Sequence, residues 1–325
     1  MNDYNKSVSD MVWSIRGIAI VLVAMCHSPS PEFPVFDTIR SIVGVIGVPV
    51  FFVCSGYFLK EKTSKEFFCD MAKKIIVPWA IWGGITYLWA IHCGVGGTVT
   101  GLMKWCVGYG TWLYFIPMYI CSLCFVRFAG RHENALTTFV FVTVISVLLV
   151  GVGCMPFNGF SYINPANWVG FVALGRLIKI KDLKMINRDV KILFISLVLL
   201  SALMVVVIWY MGIPYEMHYF TIFSILIEVT GMIFFAQISY LLPFSILKKI
   251  GQNTFFIFFT HMQFGIGYIA QWTEALFGND PVMCNIIMLF KPCLAVLLVY
   301  IVLLVIKWLL LVFHLDKYKW MIGIR

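Results

Sequence analysis

The run ILFISLVLLSALMVVVIWYM, residues 192–211, decides the fold. It carries no charged side chain, and a helix of that length is about 30 Å long, the thickness of a bilayer's hydrocarbon core. Comparable apolar runs recur on both sides of it, near 12–29, 39–59, 75–93, 110–128, 135–154, 162–178, 219–241, 252–270 and 284–312. The chain is therefore expected to be all-α, a polytopic membrane bundle of about ten transmembrane helices. The 325 residues are 61% hydrophobic and 12% charged, which excludes a soluble enzyme on a single anchor, a disordered chain and a disulfide-stapled secreted module.

Charge placement tests the count of spans. Cytoplasmic loops are enriched in Lys and Arg, so with the N-terminus inside, the basic residues should follow the even-numbered spans. Of the 24 Lys and Arg, only Arg40, Lys104 and Lys291 fall on the other side. Both termini are thus expected in the cytoplasm. The net charge of +9 is read as a topology signal and not as a nucleic-acid footprint. The first span lacks a small-residue cleavage site and is expected to stay in the protein. No composition shift divides the chain, so a single membrane domain over 1–325 is expected, surrounded by membrane lipids. The ten cysteines are scattered, and Cys121 and Cys124, a CxxC without His or acidic company, read as packing residues; no metal site is expected.

Ionisable residues within spans are costly and so locate chemistry. Arg16 and His27 lie on span one, Glu228 on span eight and His261 on span nine. Eleven residues separate Arg16 from His27, about 20° beyond three helical turns with a rise of about 16 Å, so one helix face carries both. A cation near the cytoplasmic end with an imidazole deeper in suits an anionic substrate on a long arm. Acyl-coenzyme A has that form: phosphates for Arg and Lys to hold, then a chain that delivers its thioester inward. An imidazole can take the proton of an acceptor hydroxyl as it attacks the thioester carbonyl. The bland readings are a snorkelling anchor for Arg16 and a packing group for His27. Ser55, with Gly56, reads either as a helix-packing element or as lining of the donor channel. Glu228 either orients His27, receives a proton or bonds a neighbouring helix. The outer-side residues Glu32, Asp37, Glu216 and His218 read as sugar-binding or interfacial groups.

Arg16-Gly17-Ile18-Ala19-Ile20 running to His27 forms an R-x10-H pattern, and Phe51-Phe52-Val53-Cys54-Ser55-Gly56-Tyr57-Phe58-Leu59 follows one span later. This arrangement resembles membrane-bound acyltransferase family three, the bacterial integral-membrane O-acyltransferases. Lys73-Lys74-Ile75-Ile76-Val77-Pro78-Trp79, Tyr114-Phe115-Ile116-Pro117, the stretch 170–177 and Gly251-Gln252-Asn253-Thr254 through His261 resemble further motifs of that family, in order. The chain departs from them in their flanks: Tyr114 stands for a Trp, Lys73 and Lys74 for arginines, Thr254 for a Ser and Phe258 for a Tyr.

The resemblance implies transfer of an acyl group, most often acetyl from acetyl-CoA, to a hydroxyl of a cell-envelope carbohydrate or lipid-linked glycan at the bacterial inner membrane. His27 matches the family's essential His and Arg16 its essential Arg. The expected catalytic set is His27, Arg16 and Glu228, and the expected donor-binding set is Arg16, Lys73, Lys74 and Ser55. The rival reading, from another class, is a transporter of a small solute such as an amino acid, in which Glu228 and His27 would serve proton coupling.

Overall fold

A computed structural model describes residues 3–29, 33–92, 97–109, 112–130, 132–156, 159–181, 190–213, 215–241, 245–278 and 280–324. Glu32, Arg131, Lys184, Arg188 and Arg325 lie outside the described residues. In chain order the helices are α1 (Asp3–Cys26), α2 (Pro34–Gly44), α3 (Gly47–Phe58), α4 (Ser64–Met71), α5 (Val77–His92), α6 (Val99–Val107), α7 (Phe115–Phe128), α8 (Glu133–Gly151), α9 (Gly159–Tyr162), α10 (Val169–Ile180), α11 (Val190–Met211), α12 (Ser224–Leu241), α13 (Ser245–Gln252), α14 (Thr254–Thr260), α15 (Tyr268–Phe277) and α16 (Pro281–Val312). No strand occurs among the described residues. The chain is an all-α polytopic membrane protein.

Among the described residues, seven helical segments are long and apolar enough to cross a bilayer, including Val190–Met211. The other three expected spans are helical but shorter or broken. Helix α7 has 14 residues, α10 has 12, and the segment expected at 252–270 is α14, a π-helix over His261–Gly267 and α15. The span expected at 39–59 is also broken, into α2 and α3. Pro49, in the first turn of α3, has no N–H to continue an earlier ladder, so a new helix starts just before it. A π-helix, Ala72–Ile76, joins α4 to α5 and holds Lys73 and Lys74. Pro78 follows in α5 and cannot donate to the Lys74 carbonyl, which favours the wider turn.

The chain forms two compact units. The first comprises Met1–Phe51 and Lys184–Ile306. Its centre is α1, which packs on α2, α12, α13 and α14. Two glycines bring α1 and α13 into backbone contact: a Cβ on Gly17 would lie 2.1 Å from the Leu247 carbonyl oxygen, and one on Gly251 would lie 1.7 Å from that of Trp13. Only the absence of side chains permits this approach, the usual device for helix association in lipid. The connection after α11 is tied to α2, with Tyr215 N donating to Thr38 Oγ1 at 3.0 Å and Met217 N to Ser41 Oγ at 3.1 Å. Helix α11 itself is mostly exposed and apolar, with Trp209 83% accessible, as a lipid-facing helix should be.

The second unit comprises Phe52–Leu183 and Lys307–Arg325. It repeats the reciprocal glycine contact: a Cβ on Gly56 or on Gly175 would lie 1.9 Å from the carbonyl oxygen of Val172 or Val53 respectively. Helix α10 also packs on α7 and α8. Thr143 of α8 accepts from Gly170 N at 2.8 Å and donates to the Ala166 carbonyl at 2.6 Å, so a single hydroxyl holds the start of α10. Trp168, fully buried, stacks on Phe52 with centroids 5.3 Å apart.

Candidate functional site

Arg16 lies within α1, one residue before the glycine that lets α13 approach. It is 6% exposed. Its Nη2 donates to Thr254 Oγ1 at 2.9 Å, its Nε has no hydrogen-bond partner, and the guanidinium carbon stands 5.1 Å from the centroid of the Trp13 ring and 5.7 Å from that of Phe51. Thr254, the first residue of α14, lies three residues after Gly251 and is delivered by the same packing. Among the described residues no carboxylate pairs with Arg16. A guanidinium is always charged and carries five donors. Burying one with a hydroxyl, two aromatic faces and no counter-ion leaves a place whose charge calls for an anion.

His27 stands one residue past the last residue of α1, in the turn where its N–H reaches the Ala24 carbonyl at 3.2 Å. The helix runs without a break from Arg16 to Cys26, so the helical phase read from the spacing holds over that length. The half-buried His27 ring faces the ring of His261, with centroids 5.7 Å apart and planes tilted by 42°. His261 is fully buried and opens the π-helix. Its Nδ1 lies 2.7 Å from the Phe258 carbonyl oxygen, which can only accept, so Nδ1 carries the hydrogen. Its Nε2 has no hydrogen-bond partner.

Arg40, counted in the sequence as an outside charge, is 2% exposed in α2. Its Nε pairs with Asp37 at 2.8 Å and its Nη1 donates to the Met25 carbonyl in the last turn of α1. The guanidinium thus sits at the end of α1 and acts electrostatically on both Cys26 and His27. Asp37 is engaged by this pair. Glu216, in the connection after α11, acts electrostatically on Cys26, and the Tyr219 hydroxyl lies 4.0 Å from Cys26 Sγ. His218 lies in the same connection.

Glu228 is 1% exposed on α12, a helix packed on α1. Its Oε2 has no hydrogen-bond partner, and among the described residues no bond or ion pair joins it to Arg16 or His27.

Ser55, Lys73 and Lys74 belong to the second unit. The Ser55 hydroxyl lies 2.6 Å from that of Tyr119, and both are buried. Lys73 and Lys74 are exposed; Lys74 pairs with Asp70 at 2.9 Å, and Lys62 pairs with the same carboxylate. A further basic group stands near the end of α10. Arg176 donates to the Leu59 carbonyl at 2.7 Å and to Glu61 at 2.9 Å. Burial, then the neighbouring Arg176 and Lys60, hold the Lys179 ammonium below the usual lysine range.

Sequence reasoning therefore named Arg16, His27, Glu228, Ser55, Lys73 and Lys74, and the first two come with partners it did not assign: Thr254, Arg40 and His261. The one local signal for Arg40 was Asp37 three residues before it, a spacing at which helix side chains meet. The residues fit an anionic donor at Arg16 and a hydroxyl acceptor at the imidazoles. No curated protein and no solved structure matches the chain significantly. The acyltransferase domain, however, matches it over residues 14–312, from just before Arg16 to the end of α16. The chain belongs to membrane-bound acyltransferase family 3.

Proposed function

We propose that this membrane acyltransferase moves an acyl group, acetyl in the first instance, from acyl-coenzyme A to a hydroxyl of a cell-envelope carbohydrate or lipid-linked glycan at the bacterial inner membrane. The observation that carries the reading is Arg16: a buried guanidinium with one hydroxyl partner and, among the described residues, no carboxylate, on the helix that ends just before His27. Arg16 holds a donor phosphate. His27 takes the proton from the acceptor hydroxyl while its oxygen attacks the thioester carbonyl. The C–O bond forms, the C–S bond breaks, and the proton passes to the departing thiolate. The Arg40 charge beside His27 favours the neutral imidazole, the form that can accept a proton. Glu228 is the buried carboxyl on the helix packed on α1, available to hold a proton.

His27→Ala tests the assignment. With acetyl-coenzyme A and the glycan fraction of the source membranes, the purified variant should lose transfer by about 100-fold to 10,000-fold, the usual contribution of a general base. Donor binding should remain. Transfer at a wild-type rate would overturn the role of His27.

A further inference from the structure

Two imidazoles, of His27 and His261, meet in the first unit. His261 has a defined hydrogen-bonding polarity: Nδ1–H donates to the Phe258 carbonyl, so in the neutral ring Nε2 bears a lone pair. That lone pair is buried and unmatched, a costly state for an acceptor unless a donor reaches it during function. Among the described residues, the titratable ring nearest to it in the ring contacts is that of His27, 5.7 Å away between centroids. A direct N–H···N bond of about 2.9 Å between facing imidazoles places their centroids roughly 5 Å apart. The observed separation is close to that value, and catalytic hydrogen bonds are commonly long before substrate binds.

We infer that His261 is the positioning residue of His27: its Nε2 accepts a hydrogen bond from the His27 N–H, fixing the tautomer whose other nitrogen faces the acceptor hydroxyl. The inference rests on the acyl-transfer reading and deepens it. The chain of bonds is then complete in both states. In the ground state the hydroxyl donates to the bare nitrogen of His27, His27 N–H donates to His261 Nε2, and His261 Nδ1–H donates to the Phe258 carbonyl. When His27 takes the hydroxyl proton it becomes imidazolium, still donating to His261 Nε2, and its new N–H is given up to the sulfur leaving the thioester. His261 gains and loses no proton. The logic is that of any base held by a third group, with an anchored neutral imidazole in place of a carboxylate. The π-helix that begins at His261 is a wider turn of the kind found at functional sites.

Two substitutions separate this role from a merely structural one. The amide of His261→Asn falls near Nδ1 and can still bond the Phe258 carbonyl, but nothing replaces Nε2. The amide of His261→Gln reaches the place of Nε2, where its oxygen can accept from His27, and gives up the Phe258 bond. With purified protein in nanodiscs, thiol release from acetyl-coenzyme A is measured with the membrane glycan fraction as acceptor, and kcat and KM for the donor are separated. His261→Asn and His261→Leu should lower kcat by about 100-fold with KM within about threefold, and His261→Gln should recover about tenfold of that loss. Recovery by Asn and not by Gln would overturn the inference, as would three variants that all match wild type. If the wild-type protein releases no thiol, or His27→Ala equals it, the acyl-transfer reading itself fails, a result distinct from loss of the His261 role alone.

Discussion

Arg16 donates to Thr254 across 2.9 Å and so joins two residues 238 positions apart in the chain. A glycine lies close to each polar partner, Gly17 beside Arg16 in α1 and Gly251 near the end of α13, three residues before Thr254 opens α14, and these glycines bring the two segments together. Thr254→Val removes the acceptor from a buried guanidinium, so stability should fall by about 1–3 kcal/mol, the cost of an unmatched buried polar group. Thr254→Ser should restore it. Thermal unfolding in detergent reads both, and equal stability of Val and Ser variants would mean the bond contributes nothing.

Gly251→Ala would drive a methyl group into the Trp13 carbonyl, and the 1.7 Å approach is backbone against Cβ, with no flexible side chain to yield. Overpacking typically costs about 1–3 kcal/mol, so the variant should express less folded protein and unfold at lower temperature. Gly84→Ala, where an added Cβ meets nothing within 4 Å, is the control and should match wild type.

Arg16→Lys keeps the charge and loses the planar fork. If Arg16 holds a phosphate in a bidentate way, KM for acetyl-coenzyme A should rise about tenfold with kcat less affected. Arg16→Ala should raise it further. A lysine variant with wild-type KM would show that only the point charge matters.

Glu228→Gln keeps the volume and hydrogen-bonding capacity of the side chain and removes its ability to exchange a proton. Should Glu228 hold a proton in the cycle, transfer falls by about tenfold or more while thermal stability is retained. Unchanged transfer would restrict Glu228 to packing of α12 on α1.

The carrier alternative predicts solute movement without chemistry. Proteoliposomes holding the purified protein should show no uptake of labelled amino acids in the absence of a thioester donor, whether or not a pH gradient is imposed. Uptake abolished by Glu228→Gln would favour transport.

Much of the fold was legible because burial in a bilayer demands a local property, about 20 apolar residues in succession, and 192–211 or 135–154 display it without ambiguity. Breaks were less legible. Pro49 and Pro78 interrupt apolar runs that hydropathy alone reads as continuous, and the π-helix at His261 has no proline to announce it. Of the candidate site, Arg16 and His27 were found because charge in a span is conspicuous and their helical phase follows from spacing. Arg40 was read only as a charge on the outer side, because its partners, Asp37 and the Met25 carbonyl, are known only from the fold.

The order of residues by itself determined that this chain crosses a membrane many times and which of its helices carry an ionisable group. It could not say which helices touch. Lipid tails are as apolar as the helix faces, so hydrophobicity does not choose between neighbours; close approach at small residues and hydrogen bonds between distant polar groups do. Such contacts leave no periodic trace. Only the folded molecule decided that Arg16 meets Thr254 and that His27 lies against His261.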